Sequence, residues 1–187
     1  MQRHLDECLI FHCAPALAGI KPSSLVSCAA ADYPAFDKDL RELNSKLNPK
    51  GIFFAPVCGC KNRVLLLVYR ESKLAAHLSD PKVKQYLENE GYPVSLGTKA
   101  VINHLKTRLA SSAAFPHEVG VLLGYPVSDV LAFVSNKGKN CKLSGYWKVY
   151  SNLRAAALLF SRYDRCREVL CRRYEHTPSL VHLFGAA

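Results

Sequence analysis

A chain of 187 residues, 49% hydrophobic and 21% charged, fits one globular domain over residues 1–187 that buries its own core, and it excludes an intrinsically disordered chain. Purely apolar runs such as 64–68 fall far short of the ~20 residues a spanning helix needs. A formal charge of +10 steers encounters toward anions: nucleic acid, a phosphorylated or carboxylated metabolite, an acidic protein or an anionic membrane surface.

Taken in order, Leu5, Leu9, Ile10, Cys13, Ala16 and Leu17 fall on one helical stripe, so a helix is expected to about residue 14, where Pro15 breaks it, with a short turn before Gly19. Asp6 and Glu7 stand where an export signal carries positive charge, and His12 and Pro15 interrupt its apolar part. The eight cysteines are therefore expected as free thiols in a reducing cytoplasm, and their spacing offers no pair of CxxC elements for structural zinc. After Lys21-Pro22, Ser23 or Ser24 is expected to cap a further helix. An amphipathic helix follows over 37–47, stopped by Asn48-Pro49-Lys50-Gly51.

Residues 52–57 and 63–69, rich in β-branched and aromatic side chains, read as a hairpin across 58–62. The second run is apolar on both faces and is expected to be an interior strand. Short helices over 74–78 and 83–87 are divided by Ser79-Asp80-Pro81, an N-cap followed by a first-turn proline, and another helix covers 98–109. The stretch 114–130 reads as helix, break, helix, with His117 and Glu118 at the first helix start and Gly124-Tyr125-Pro126 as the break. Gly-Tyr-Pro-Val-Ser occurs at 91–95 and again at 124–128, which reads as repeated helix punctuation more than as a structural repeat.

Residues 145–150 predict a third strand, on an edge, with Trp147 toward the core and Tyr146, Lys148 and Tyr150 on a face available for binding. The longest helix, 153–174, carries Leu153, Ala156, Ala157, Phe160, Tyr163, Arg167 and Leu170 inward and Arg154, Arg162, Arg165, Arg172 and Arg173 outward. The fold class is α+β: a mostly helical single domain around a small antiparallel three-stranded sheet. No glycine-rich phosphate loop follows a strand, which argues against a dinucleotide or P-loop site.

Candidate chemistry gathers at His12-Cys13 and His117-Glu118. If the fold joins them, Cys13 is a nucleophile, His117 its base and Glu118 the third member; the plainer alternative makes Cys13 a buried small side chain and Glu118 a helix-start charge. His12, His117 and Glu118 as ligands of a divalent ion form a third option, and no metal or cofactor is assigned. The favoured reading is binding of, or catalysis on, a small anionic metabolite or cofactor at a His-Cys/His-Glu pocket, with His12, Tyr125, Tyr146, Lys148 and Tyr150 as ligand-binding residues. The sequence does not decide whether the protein is an enzyme. The alternative is a non-enzymatic nucleic-acid-binding or regulatory module using the basic C-terminal helix.

Three ordered motifs, HCAPALAGIKP at 12–22, FPHEVGVLLGYP at 115–126 and GYWKVY at 145–150, resemble an uncharacterised family of small proteins, largely from anaerobic Gram-positive bacteria and catalogued as a domain of unknown function. The resemblance spans nearly the whole chain and implies a bacterial protein, with no activity or catalytic residue to carry over.

Overall fold

The computed structural model describes residues 5–33, 35–60, 63–111 and 115–185. Its centre is an antiparallel sheet in the order β1-β3-β2, built from β1 (Ser23–Ala29), β2 (Ile52–Cys60) and β3 (Arg63–Arg70). The doubly apolar β3 is the interior strand, pairing Leu67 with Leu25 on one side and with Ala55 on the other. β2 is an edge strand, where Pro56, which has no N–H to donate, sits beside a register shift between Pro56 and Cys58. Lys61 and Asn62 of the expected hairpin loop lie outside the described residues.

The helices are α1 (Leu5–Leu17), α2 (Phe36–Leu47), α3 (Glu71–Leu78), α4 (Pro81–Asn89), α5 (Thr98–Ser111), α6 (Val119–Leu122), α7 (Val127–Ser135), α8 (Leu153–Glu175) and α9 (Leu180–Gly185). They cover both sheet faces. On one, Val26, Phe54, Leu66 and Val68 pack with α1, α2 and the end of α8. On the other, Val57, Leu67 and Tyr69 pack with residues of α3 to α7. A smaller third core joins Trp147 and Val149 to Ala156, Phe160 and Tyr163 of α8. Asp80 caps α4 as expected, its carboxylate accepting from the N–H groups of Lys82 at 2.9 Å and Val83 at 3.2 Å.

Three expectations need correction. Pro15 does not end α1, which runs to Leu17. The proline lies in the last helical turn, where a single hydrogen bond is forgone, and the fully buried Cys13, Ala14, Ala16 and Leu17 around it outweigh that loss. The expected helix after Ser23 or Ser24 is instead strand β1, because the Ser23 hydroxyl donates to the Leu122 carbonyl at 2.8 Å rather than capping, and pairing along β3 satisfies the backbone. The strand expected at 145–150 does not join the main sheet: β5 (Lys148–Val149) pairs antiparallel with β4 (Leu143–Ser144) in a separate two-stranded ribbon. The three-stranded sheet stands, with β1 as its third member.

The twin Gly-Tyr-Pro segments make the same backbone device. Gly91 at φ +85° and Gly124 at φ +83° each end a helix in the left-handed region. The following Tyr92 and Tyr125 N–H groups bond back to Leu87 and Gly120, both at 2.9 Å, the six-to-one bond of a Schellman turn.

Candidate functional site

A third turn of the same kind builds the most polar interior of the protein. Gly19, at φ +74°, closes α1 with the Ile20 N–H bonded to the Pro15 carbonyl at 2.9 Å, and the chain doubles back so that Lys21 points inward. Arg70 fastens this turn by donating from Nε to the Leu17 carbonyl at 2.6 Å. Gly124 is packed directly on it: a Cβ there would lie 2.7 Å from two ring carbons of Pro22. The turns after α1 and α6 are thereby locked together, and Lys21 Nζ sits 5.5 Å from the centroid of the Tyr125 ring. That ring lies against Gly120 and stacks on Trp147 with 5.2 Å between centroids. Buried Asp129 holds Trp147 in place, accepting from its indole N–H at 2.8 Å and from the backbone of Tyr150 and Ser151 at 3.0 and 2.8 Å.

Tyr125, Leu25 and Leu123 form a wall with a pocket on either side. The smaller, about 210 Å³, is lined by His12, Lys21, Ser24, Tyr146 and Arg167 beside Phe11 and Pro15. The larger, about 470 Å³, is mostly apolar: Phe115, Val130, Phe133 and Trp147 line it, with His117 and Lys148 among its polar groups.

The charges of the small pocket do not balance internally. Arg167 holds Asp164 at 2.8 Å, and the Tyr146 hydroxyl donates to the same carboxylate at 3.0 Å, so Asp164 is already engaged. Lys21 is 6% exposed, and no carboxylate among the described residues pairs with it. Burial pulls its ammonium down to about 8 from a lysine's ordinary 10.5, with Cys13 opposing slightly. Desolvation likewise sets the hydroxyl of Tyr146, pushed up to about 12 by burial and by its bond to Asp164, so it stays protonated and remains a donor.

The residues singled out from sequence separate in space. His12 lines the small pocket. Cys13 does not line either pocket; it lies fully buried in the core beneath the sheet, where burial, reinforced by Cys8 and opposed by Lys21, pushes its thiol far up. His117 and Glu118 point apart. The imidazole is exposed on the large pocket, 5.3 Å from the Phe133 ring, while the carboxylate is buried, 2.9 Å from Arg108 and accepting the Tyr92 hydroxyl at 3.4 Å. Tyr125 faces both pockets, Tyr146 the small one and Lys148 the large one. The Tyr150 hydroxyl is buried without a partner and lines neither. Among the described residues no three His, Cys, Asp or Glu side chains form a group suited to a metal ion.

Sequence reasoning passed over Lys21, Arg167 and Asp129. For Arg167 a signal existed: it is the charged residue in the inward stripe of α8, between Tyr163 and Leu170. Lys21 carried only a weak one, a lysine enclosed by Ile20 and Pro22 directly after a helix-stop glycine. Asp129 reads as an ordinary first-turn acid, because its partners lie some twenty residues onward in the chain.

The family profile of DUF3793, described as a protein of unknown function, matches residues 9–184. The chain belongs to the DUF3793 family. No curated protein matches this DUF3793 chain. No solved structure matches it. Among the described residues of this DUF3793 protein, Cys13, Cys28, Cys58, Cys141, Cys166 and Cys171 carry free thiols. Native-state alkylation read by peptide mass spectrometry is expected to label the half-exposed Cys58 and Cys141 first and the buried Cys13 and Cys28 last. Early labelling of Cys13 would show that its surroundings open in solution.

Proposed function

We propose that the protein binds a small anionic metabolite in the pocket of His12, Lys21, Ser24, Tyr146 and Arg167, with the Lys21 ammonium as counter-charge. The observation that carries this reading is the buried Lys21, for which no carboxylate among the described residues supplies the opposite charge. An ion of that kind costs the fold several kcal/mol unless something compensates it, and a bound anion compensates it directly. At about 210 Å³ the pocket lies below the usual range for drug-sized ligands, so the anion is small. The adjoining apolar cavity, with His117, Tyr125 and Lys148, takes any uncharged extension of the ligand. In this reading Cys13 and Glu118 support the walls and do not touch the ligand. A cytoplasmic location belongs to the same reading and is supported by the free thiols; no helix among the described residues is long and apolar enough to cross a membrane.

The reading is tested by thermal unfolding at low ionic strength with lactate, acetate or sulfate as probes. At a probe concentration of 100 times Kd, the folded state gains about 2.7 kcal/mol, and Tm rises accordingly for the wild type. Lys21→Met is expected to need at least tenfold more probe for the same rise. Equal stabilisation of both proteins by every probe would show that the anions act without Lys21.

One observation favours a second reading, nucleic-acid binding: Arg154, Arg162, Arg165, Arg172 and Arg173 are all exposed on α8 and, at the helical repeat, fall within an arc of about 100°. Exposed Leu158 and Val169 lie inside the same arc. Backbone neutralisation at this stripe predicts oligonucleotide affinity that falls with log salt at roughly 0.7 to 0.9 per phosphate contacted. An oligonucleotide that is not retained at physiological salt would remove this reading.

A further inference from the structure

Lys21 offers more than a charge. We propose that its amine forms an imine with the carbonyl carbon of a short-chain 2-oxo acid, whose carboxylate rests against Arg167 and His12. The inference rests on the anion-binding reading of the same pocket.

Four features of the geometry point this way. The amine is nearly sealed from solvent, yet it lines a pocket instead of vanishing into the core. No carboxylate among the described residues holds it as a permanent ammonium; an ion pair of that kind would keep a lysine charged and unreactive. Arg167 lines the same pocket; one Nη holds Asp164 at 2.8 Å and the other reaches the Tyr146 hydroxyl at 3.4 Å, and its remaining N–H groups can add a carboxylate to that cluster. Finally, the about 210 Å³ available fits an acid of a few carbons, with its carbonyl next to its carboxylate. Burial adds a chemical consequence: in the free protein, before any bound carboxylate raises the ammonium from about 8, a far larger share of Lys21 is neutral near pH 7.4 than of an ordinary lysine, so the amine meets an entering carbonyl partly unprotonated.

The step balances without any oxidant. The neutral nitrogen adds to the carbonyl carbon, the carbon–oxygen π bond breaks, and proton transfer from nitrogen to oxygen gives a carbinolamine. Its hydroxyl takes one further proton, for which His12 is the exposed titratable group in the pocket, and leaves as water. The product is an iminium on Lys21 that keeps the single positive charge facing the carboxylate. Charge complementarity with the bound acid is therefore the same before and after the bond forms.

The experiment is reductive trapping on the full-length protein. Pyruvate and sodium cyanoborohydride are added at pH 7.4, hydride adds to the imine carbon, and the secondary amine is located by peptide mass spectrometry. The expected result is an adduct on Lys21 forming at least about tenfold faster than on any other lysine, as its larger neutral fraction requires. Excess lactate, which carries the carboxylate but no carbonyl, is expected to slow it. Lys21→Arg, which has no amine that can form the imine, is expected to abolish the adduct. Adducts spread evenly over surface lysines, or a Lys21 left unmodified, would overturn the inference. Wild-type protein that is stabilised by lactate but gives no Lys21 adduct retains the anion-binding reading and loses only the imine; wild-type protein that shows neither loses both.

Discussion

Replacing Asp129 by alanine is expected to remove about 3 to 5 kcal/mol of stability, because three donors lose their acceptor at once: the Trp147 indole and the backbone N–H groups of Tyr150 and Ser151. Burial alone pushes the Asp129 carboxyl up, but the hydrogen bonds from Trp147, Ser151 and Tyr150 outweigh it, and the group lies below the ordinary carboxylate value. A carboxyl depressed in the folded state contributes stability that is present above its unfolded pKa and lost as pH falls through its folded one. The wild type is therefore expected to lose stability in strong acid by an increment that the Asp129→Ala protein lacks. Trp147 is the single tryptophan of the chain, so urea unfolding followed by its emission reads the effect at the site itself. A loss below about 1 kcal/mol, the size of one ordinary hydrogen bond, would mean that Asp129 does not clamp the ribbon to α7.

Lys21→Met is expected to act in the opposite direction, stabilising the ligand-free protein. The drop of the Lys21 ammonium from 10.5 to about 8 is equivalent to about 3 kcal/mol of unfavourable burial at neutral pH. Below pH 8 the lysine is charged in both folded and unfolded chains, and the folded state bears the full cost. Between about 8 and 10.5 the unfolded chain holds more protons than the folded one, so this contribution to stability rises with pH. The advantage of the methionine variant should thus be largest at pH 7 and close across that window. Burial raises the Cys13 thiol and gives a slope of the opposite sign above pH 9, but Cys13 is common to both proteins and drops out of the difference. A methionine variant less stable than wild type at pH 7 would show that Lys21 is charge-paired in the free protein.

How much of this was legible in the sequence depends on how local the governing interaction is. Helices α2, α4, α5 and α7 announced themselves through stripes and caps that act within a few residues, such as Asp80 on Lys82 and Val83. The interior position of β3 followed from its apolar residues on both faces. Strand β1 was not legible, because Ser23 and Ser24 resemble a cap and the atom that claims the Ser23 hydroxyl, the Leu122 carbonyl, lies 99 positions away. The continuation of α1 through Pro15 was not legible, because the burial of its neighbours is a tertiary fact. The site followed the same rule. His12, Tyr125 and Tyr146 were singled out and line one pocket, because they sit beside turns that the sequence marks with glycine and proline. Lys21 escaped notice because its meaning lies in a missing partner, and a sequence does not display a missing partner. The adjacency of His117 and Glu118 suggested a joint role, yet neighbouring residues in the turn before α6 project in different directions, one into the cavity and one toward Arg108.

If Lys21 is the counter-charge of a bound anion, binding is linked to a proton. In the free protein at pH 8 about half of Lys21 is neutral. An anion that binds against it raises its pKa and fills that half. Titration calorimetry of lactate at pH 8, run in two buffers with different ionisation enthalpies, is therefore expected to report uptake of roughly half a proton per anion bound. The uptake should vanish in Lys21→Met and shrink in the wild type at pH 6.5, where the ammonium is already complete. Binding with no proton uptake at pH 8, or the same uptake in Lys21→Met, would show that Lys21 is not the counter-charge.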